Sequence, residues 1–473
     1  MARKSFEDNN SNWDEQIDIA IIGSGFAGLA SAIEARNAGK SVIVFEKMSA
    51  VGGNSTISDG GIAAPETSIQ KKFGIKDSKD LMYEDMINAG LGLNDPTLVR
   101  ILVDKANEAL EWTRDYLGVE YLDRIDQFGG HSVHRCYTAK NISGATIIKQ
   151  QIKKAKELGV KIRLKTCFES FVQDTVGRVI GIILRDNYNY KYPDQGCRKY
   201  VKANKGVILA TGGFGSDVAF RSAQDPRLTE KIDTTNKPFT TAQALKQALK
   251  VGAAAVQLSH IQLGPWASPD EKGYGDAPEF SEYILFQYGM IVDPTTGKRF
   301  VNELADRKTL SDKILLIDHP CVGIADSKAV DISGWNIEQC LKKGVVKKFE
   351  TISDFADFYQ IPFDELSESI FEFNDCVAKG KDTRFSKQIL AIADKIKKAP
   401  YYGVRLWPKV HHTMGGIRIN TKAEVLDIEG ESIKGLYAAG EVTGGIHGAC
   451  RLGSCAISEC LVFGRIAGEN AAR

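Results

Sequence analysis

Residues 17–47 read IDIAIIGSGFAGLASAIEARNAGKSVIVFEK, and this stretch decides the fold. Ile17–Ile22 is an apolar run of strand length interrupted only by Asp18, too short for a helix and bounded by glycine. Gly23-Ser-Gly-Phe-Ala-Gly28 is a tight turn, Leu29–Ala38 has helical periodicity stopped by Gly39, and Ser41–Phe45 is a second buried strand ended by Glu46. The turn is a GxGxxG sequence lying between a strand and a helix, the context in which that pattern carries meaning. Gly23 permits the bend, Gly25 lets backbone N–H groups approach a pyrophosphate at the helix N-terminus beside Phe26 and Ala27, and Gly28 lets helix and strand pack closely. Glu46, followed by Lys47, is placed to accept hydrogen bonds from a ribose diol, which favours a dinucleotide without a 2′-phosphate.

Further glycine pairs extend the reading. KMSAVGGNSTISDGG follows directly, with Gly52-Gly53, then Asn54 and Ser55, then Gly60-Gly61. Ala210–Gly215, ATGGFG, brings Thr211, Gly212 and Gly213 to the end of another strand, and Leu436–Gly445, LYAAGEVTGG, does the same with Gly440 and Glu441, the carboxylate again placed to hold a hydroxyl. FAD is longer than NAD and needs these additional backbone donors, so the expected cofactor is FAD.

Around these motifs, helical periodicity is predicted near 96–116, 143–158, 240–251, 353–358, 363–378 and 385–397, with strands over roughly 160–210. The stretch 259–405 is richer in aromatic, proline and acidic residues. The expected fold is α/β, a Rossmann-like FAD-binding domain made of residues 17–258 and 406–473 and interrupted by an inserted α+β capping domain at 259–405, with a flexible arm at 1–16.

Totals set limits on partners. With 61 Lys and Arg against 60 Asp and Glu, the formal charge of +1 gives no basis for nucleic-acid binding. Direct membrane insertion is not expected, because the most apolar segment, 17–32, carries Asp18 and three glycines. No secretory h-region is visible near the start, so the expectation is cytoplasmic, or periplasmic if an export signal has been removed. Nine cysteines form no disulfide framework.

The fingerprint of residues 17–47, together with ATGGFG, HHTMGGIRIN, GLYAAGEVTGGIHGA and RLGS, resembles the flavoprotein family of fumarate reductases and succinate dehydrogenases, with the nearest likeness to the soluble flavocytochrome c branch. The resemblance spans about residues 17–473. It implies hydride transfer from flavin N5 to an α,β-unsaturated carboxylate, with Arg307 of GKRFVNELADRK as proton donor and His412 and Arg451 gripping one substrate carboxylate. A guanidinium pairs with a carboxylate bidentately and fixes its orientation. His411 reads as a packing residue or as a support to the ligands beside it. The segment HGACRLGSCAISEC, His447–Cys460, becomes the flavin floor leading into a helix over Ser454–Ala467, with Ser454, Ala456 and Ile457 against the flavin. Its cysteines at i, i+5 and i+10 lack metal-ligand spacing, and no metal site is expected. Cys450 and Cys455 stand where relatives carry asparagines.

Departures concern the far end of the substrate pocket. Relatives place a histidine where this chain has Gly264, and an arginine of a proton relay where it has Leu285. Glu282 fits the relay glutamate and Ser281 can offer a hydroxyl, so Ser281, Glu282 and Gly264 are the expected substrate-side positions. The acid could be fumarate, urocanate, acrylate, methacrylate or an aryl-acrylate; Trp266, Tyr274, Phe280, Tyr283 and Phe286 could make the far end aromatic, though most of them read as core. No CxxCH haem site occurs, so a separate electron donor is expected, a cytochrome c or a flavin or NADH reductase. No histidine lies within 48–66, which predicts non-covalent FAD. Two other readings stay open: a dehydrogenase or oxidase of a saturated acid, and an electron-transfer subunit.

Overall fold

A computed structural model describes residues 13–473. The opening stretch forms the strand Glu15–Ile22, the helix Phe26–Asn37 and the strand Val42–Phe45, as the glycine turn dictates. Of the expected flexible arm, residues 1–12 lie outside the described residues. Residues 13–16 are ordered, because Asp14 accepts a hydrogen bond from the Tyr200 backbone N–H at 2.8 Å and the strand begins at Glu15.

The main sheet has eight strands. Glu15–Ile22 lies parallel between Val42–Phe45 and Cys197–Leu209, and Lys161–Arg163 and Ser432–Ala438 extend the parallel core outward on either side. Strands covered on both faces are largely apolar, which is why runs such as IAII and VIVF rather than alternating patterns mark the centre of this sheet. Helix Phe26–Asn37 packs against the C-terminal helix Cys455–Ala471 at close range. A Cβ on Gly464 would stand 2.6 Å from the Ala27 carbonyl oxygen, and one on Gly468 would stand 2.3 Å from that of Ser31.

A second, antiparallel sheet runs in the order Met290–Val292, Cys321–Asp326, Tyr401–Leu406, Val346–Phe349. It carries its own apolar cluster, including Phe355, Leu366 and Phe373 from the helices Ile352–Tyr359 and Phe363–Lys379. Strand Ile261–Gly264 pairs with Lys409–Thr413 at the two crossings between the sheets.

The helix predicted at 385–397 does not form. Lys387 is buried, donates to the Gly289 carbonyl at 2.6 Å and lies 3.4 Å from Glu303. The Asn374 side chain accepts from Ile396 N–H at 2.7 Å and donates to Ile396 C=O at 3.0 Å. Those tertiary bonds take the place of a helical ladder.

Candidate active site

The glycine turns line a cavity of about 950 Å³. Gly23, Gly25, Phe26, Ala27, Glu46, Lys47, Gly53, Asn54, Ser55, Thr211, Gly212, Gly440 and Glu441 all face it, as the sequence predicts. Gly23 has φ +102°, and a Cβ there would lie 2.2 Å from the Ala210 carbonyl oxygen. Gly28, Gly60 and Gly213 do not line the cavity. They serve close packing instead: a Cβ on Gly28 would stand 2.0 Å from Gly23 O, and one on Gly213 would strike the Glu441 carboxylate. Glu46 accepts from the Ser24 hydroxyl at 2.6 Å and from the Met48 N–H at 2.9 Å, so its carboxylate is oriented by the turn it faces. Sequence reading did not find Cys167, Phe239 and Gln243, which complete the wall from distant segments without any glycine signature.

A second cavity of about 830 Å³ shares Phe26, Asn54, Ser55, Glu441 and Cys460 with the first, making one continuous cleft. A side-chain-free cradle of glycine backbone opening into a broader chamber suits a dinucleotide with a large ring system, and the residues present fit FAD. The N-terminal turn of Cys455–Ala471 contributes Ser454, Ala456 and Ile457, and Gly61 lies beside them. The Ser454 hydroxyl is buried without a partner.

Arg307, His412 and Arg451 meet in this chamber. Arg307 opens the helix Arg307–Leu316, and its Nη2 donates to Glu282 Oε1 at 2.5 Å. Burial works against the Arg307 charge, but the Glu282 carboxylate more than offsets it and holds the guanidinium above its ordinary value. Burial raises Glu282, with Arg307 pulling the other way. Arg451 has its Nε free of partners; burial and the nearby Arg307 pull it down to about 10. Its main chain is clamped by Gln262, whose side-chain amide accepts from Arg451 N–H at 3.0 Å and donates to Arg451 C=O at 3.1 Å. Gln262 pairs with His412 across the two strands, so one residue fixes both halves of the carboxylate grip.

His412 is held neutral, well below the usual histidine range, first by burial and then by Arg451. Its Nε2 has no partner, and its ring meets that of His447 edge-on at 5.8 Å. His447 Nε2 is 2.8 Å from Glu459 on the C-terminal helix. His411, expected as a packing residue, lines the chamber too, with Nδ1 2.8 Å from the Thr235 hydroxyl. The Glu441 carboxylate accepts from Thr413 N–H at 3.0 Å, and burial pushes it up to about 7.

The far end is built differently from the sequence expectation. Of Ser281, Glu282 and Gly264, only Glu282 reaches the chamber. Gly264 instead makes room for an indole: a Cβ there would lie 2.9 Å from the Trp266 ring. Trp266 is 1% exposed, packs edge-on against His411 at 4.8 Å and sits 5.7 Å from the Arg307 guanidinium, with its Nε1 unpartnered. Tyr274 and Asp59 complete this end. No motif marks Trp266, Tyr274 or Asp59, because each enters through a loop whose path depends on tertiary contacts.

A glycine-cradled cleft running into a chamber with two arginines and two neutral histidines defines a flavin-dependent oxidoreductase of an organic acid. Residues 18–457 match the family described as FAD binding domain. The chain is 44% identical over 466 residues to the acrylate reductase flavoprotein subunit of Shewanella woodyi, covering 97% of this chain and 92% of that one. It is 35% identical over 461 residues to a fumarate reductase (cytochrome) of Shewanella frigidimarina, covering 97% and 77%. The structure superposes on the open conformation of a flavocytochrome c3 fumarate reductase with TM-score 0.77 and 31% identity, covering 98% of this chain and 79% of that one. The chain belongs to the FAD binding domain family, and within it to the FAD-dependent oxidoreductases that reduce the C=C bond of α,β-unsaturated carboxylates.

Proposed function

We propose that the substrate is a short α,β-unsaturated monocarboxylate, acrylate or methacrylate in size. The observation that carries this reading is the Trp266 indole lying over Gly264. The far end has an indole, a phenol and the carboxylates Asp59 and Glu282, and the nearby cation Arg307 is already engaged by Glu282. A second carboxylate there would face two acids and no free cation, which costs more than the van der Waals contact returns. The name of the Shewanella woodyi relative agrees with this size of acid.

In this reading Arg451 and His412 bind the one carboxylate, the histidine as a neutral hydrogen-bond donor. Bound FAD, when reduced, supplies hydride to the β-carbon. The α-carbon then carries carbanion character beside the carboxylate, basic enough to take a proton from a guanidinium held against it. Trp266 and Tyr274 exclude water and limit the acid's length. FAD is held non-covalently, a view supported by the absence of histidine in 48–66. Electrons come from a separate protein, a cytochrome c or a flavin or NADH reductase, as the description of the relative as a subunit suggests.

The test is anaerobic turnover with a reduced viologen dye and a panel of acrylate, methacrylate, crotonate, cinnamate, urocanate and fumarate. Acrylate or methacrylate should give the highest kcat/KM, and Arg307→Ala should lower kcat by about 10²-fold or more while retaining FAD. Preference for fumarate would overturn the substrate assignment. Full turnover by Arg307→Ala would overturn the proton assignment.

A further inference from the structure

Each turnover leaves Arg307 one proton short, and the relay arginine expected from the family resemblance is absent. Its position is Leu285, fully buried and packed on Gly289 and Gly323, with nothing to titrate. Glu282 therefore needs another source of protons.

The structure supplies one. Tyr283 follows Glu282 in the π-turn Ser281–Leu285, and such widened turns recur at functional sites. Its hydroxyl donates to Asp59 Oδ2 at 3.0 Å. Asp59 lines the chamber alongside Glu282 and Arg307, and its other oxygen accepts from Gly61 N–H at 3.0 Å. Tyr283 also borders a separate outer cleft with Asp126, Arg124 and His134. The buried Asp126 has one carboxylate oxygen paired with Arg124 at 2.8 Å and the other without a partner. Tyr283 is thus part of the wall of the outer cleft, while its hydroxyl reaches a carboxylate that lines the chamber.

We propose that Asp59 and Tyr283 form this chain's own proton route, carrying protons from the outer cleft lined by Asp126 to Glu282 and so to Arg307. The Tyr283 hydroxyl gives its proton to Asp59 and takes one from water of the outer cleft. Asp59 passes its proton to Glu282, and Glu282 restores the guanidinium that has protonated the substrate carbon. One proton crosses per product and no electrons move along the path. The charged and titratable groups facing Asp59 are Glu282, Arg307, Tyr274, Tyr283 and, across the wall, Asp126. The inference rests on Arg307 as proton donor.

The experiment uses FAD-loaded protein and follows the two half-reactions separately by stopped flow, in H₂O and D₂O. Asp59→Asn and Tyr283→Phe should each slow flavin reoxidation by acrylate about tenfold or more and enlarge its solvent isotope effect. Flavin reduction by the dye should stay within about twofold in both, half-saturation by acrylate should stay within about twofold in Tyr283→Phe, and Asp59→Glu should recover part of the rate. Reoxidation within about twofold of wild type in either variant overturns the route, as does equal slowing of both half-reactions, which marks a structural role. Full acrylate turnover by Arg307→Ala would strike the reading of Arg307 as proton donor, and the route that serves it falls with it.

Discussion

Glu441 shows how one side chain's burial becomes a measurable property. An ordinary glutamate titrates at 4.5, and this one is pushed up to about 7 by burial. A group with a raised folded value adds stability that is complete below its unfolded value and is lost as pH rises through its folded value. The interval between 4.5 and about 7 is worth about 3 kcal/mol. Glu441→Gln imitates the protonated form. Its unfolding free energy should therefore gain on wild type from pH 4.5 to 7 and stay level above that, a difference that paired urea titrations across pH will measure. A flat difference across the whole range would mean that the carboxylate is solvated in solution. The cysteines of the flavin floor behave in the opposite sense for chemistry. Burial pushes Cys450 and Cys455 up to about 12, so both are thiols at neutral pH, and thiols are poor nucleophiles.

At the scale of elements, the contact between Phe26–Asn37 and Cys455–Ala471 sets the shape of the cleft, since the first helix opens on the nucleotide cavity and the second on the chamber. Two glycines, one turn apart, let the helices touch backbone to backbone. Gly464→Ala and Gly468→Ala should each cost about 1–3 kcal/mol in thermal unfolding and weaken FAD retention, because the helices can separate only by moving one wall of the cleft. Unchanged melting temperature and FAD affinity in both would mean that the helices slide apart at no cost. The π-turn at Ser281–Leu285 has a comparable role in the other sheet's neighbourhood, directing Glu282 into the chamber while all five residues stay buried.

Over the whole molecule, the stretch 290–406 has its own sheet and its own buried ion network. Arg299 pairs with Glu303 at 2.8 Å and with Asp382 at 3.0 Å, and Lys387 completes the group. Removing one partner of a buried network leaves uncompensated charge. Arg299→Met should destabilise this unit by about 3–5 kcal/mol, seen as an earlier unfolding transition in urea. FAD should remain bound, since no member of the network lines the nucleotide cavity, while turnover should fall because Arg307 belongs to the same unit. A single unshifted transition would show that the network contributes nothing net.

The amino-acid sequence by itself determined the nucleotide half of this protein. Glycine spacing, apolar runs and helix stops are local signals, and Gly23, Glu46, Gly212 and Gly440 lie where those signals put them. Arg307, His412 and Arg451 were legible because each sits in a distinctive motif, although they are far apart in the chain. Only the tertiary structure decided the far end of the pocket. Trp266 fills the space left by Gly264, Asp59 receives the Tyr283 hydroxyl, and residues 385–397 give up helical periodicity to bury Lys387. Each of these outcomes depends on which non-local group offers the better partner once desolvation is counted. That balance is a property of packed neighbours and leaves no periodic trace along the chain.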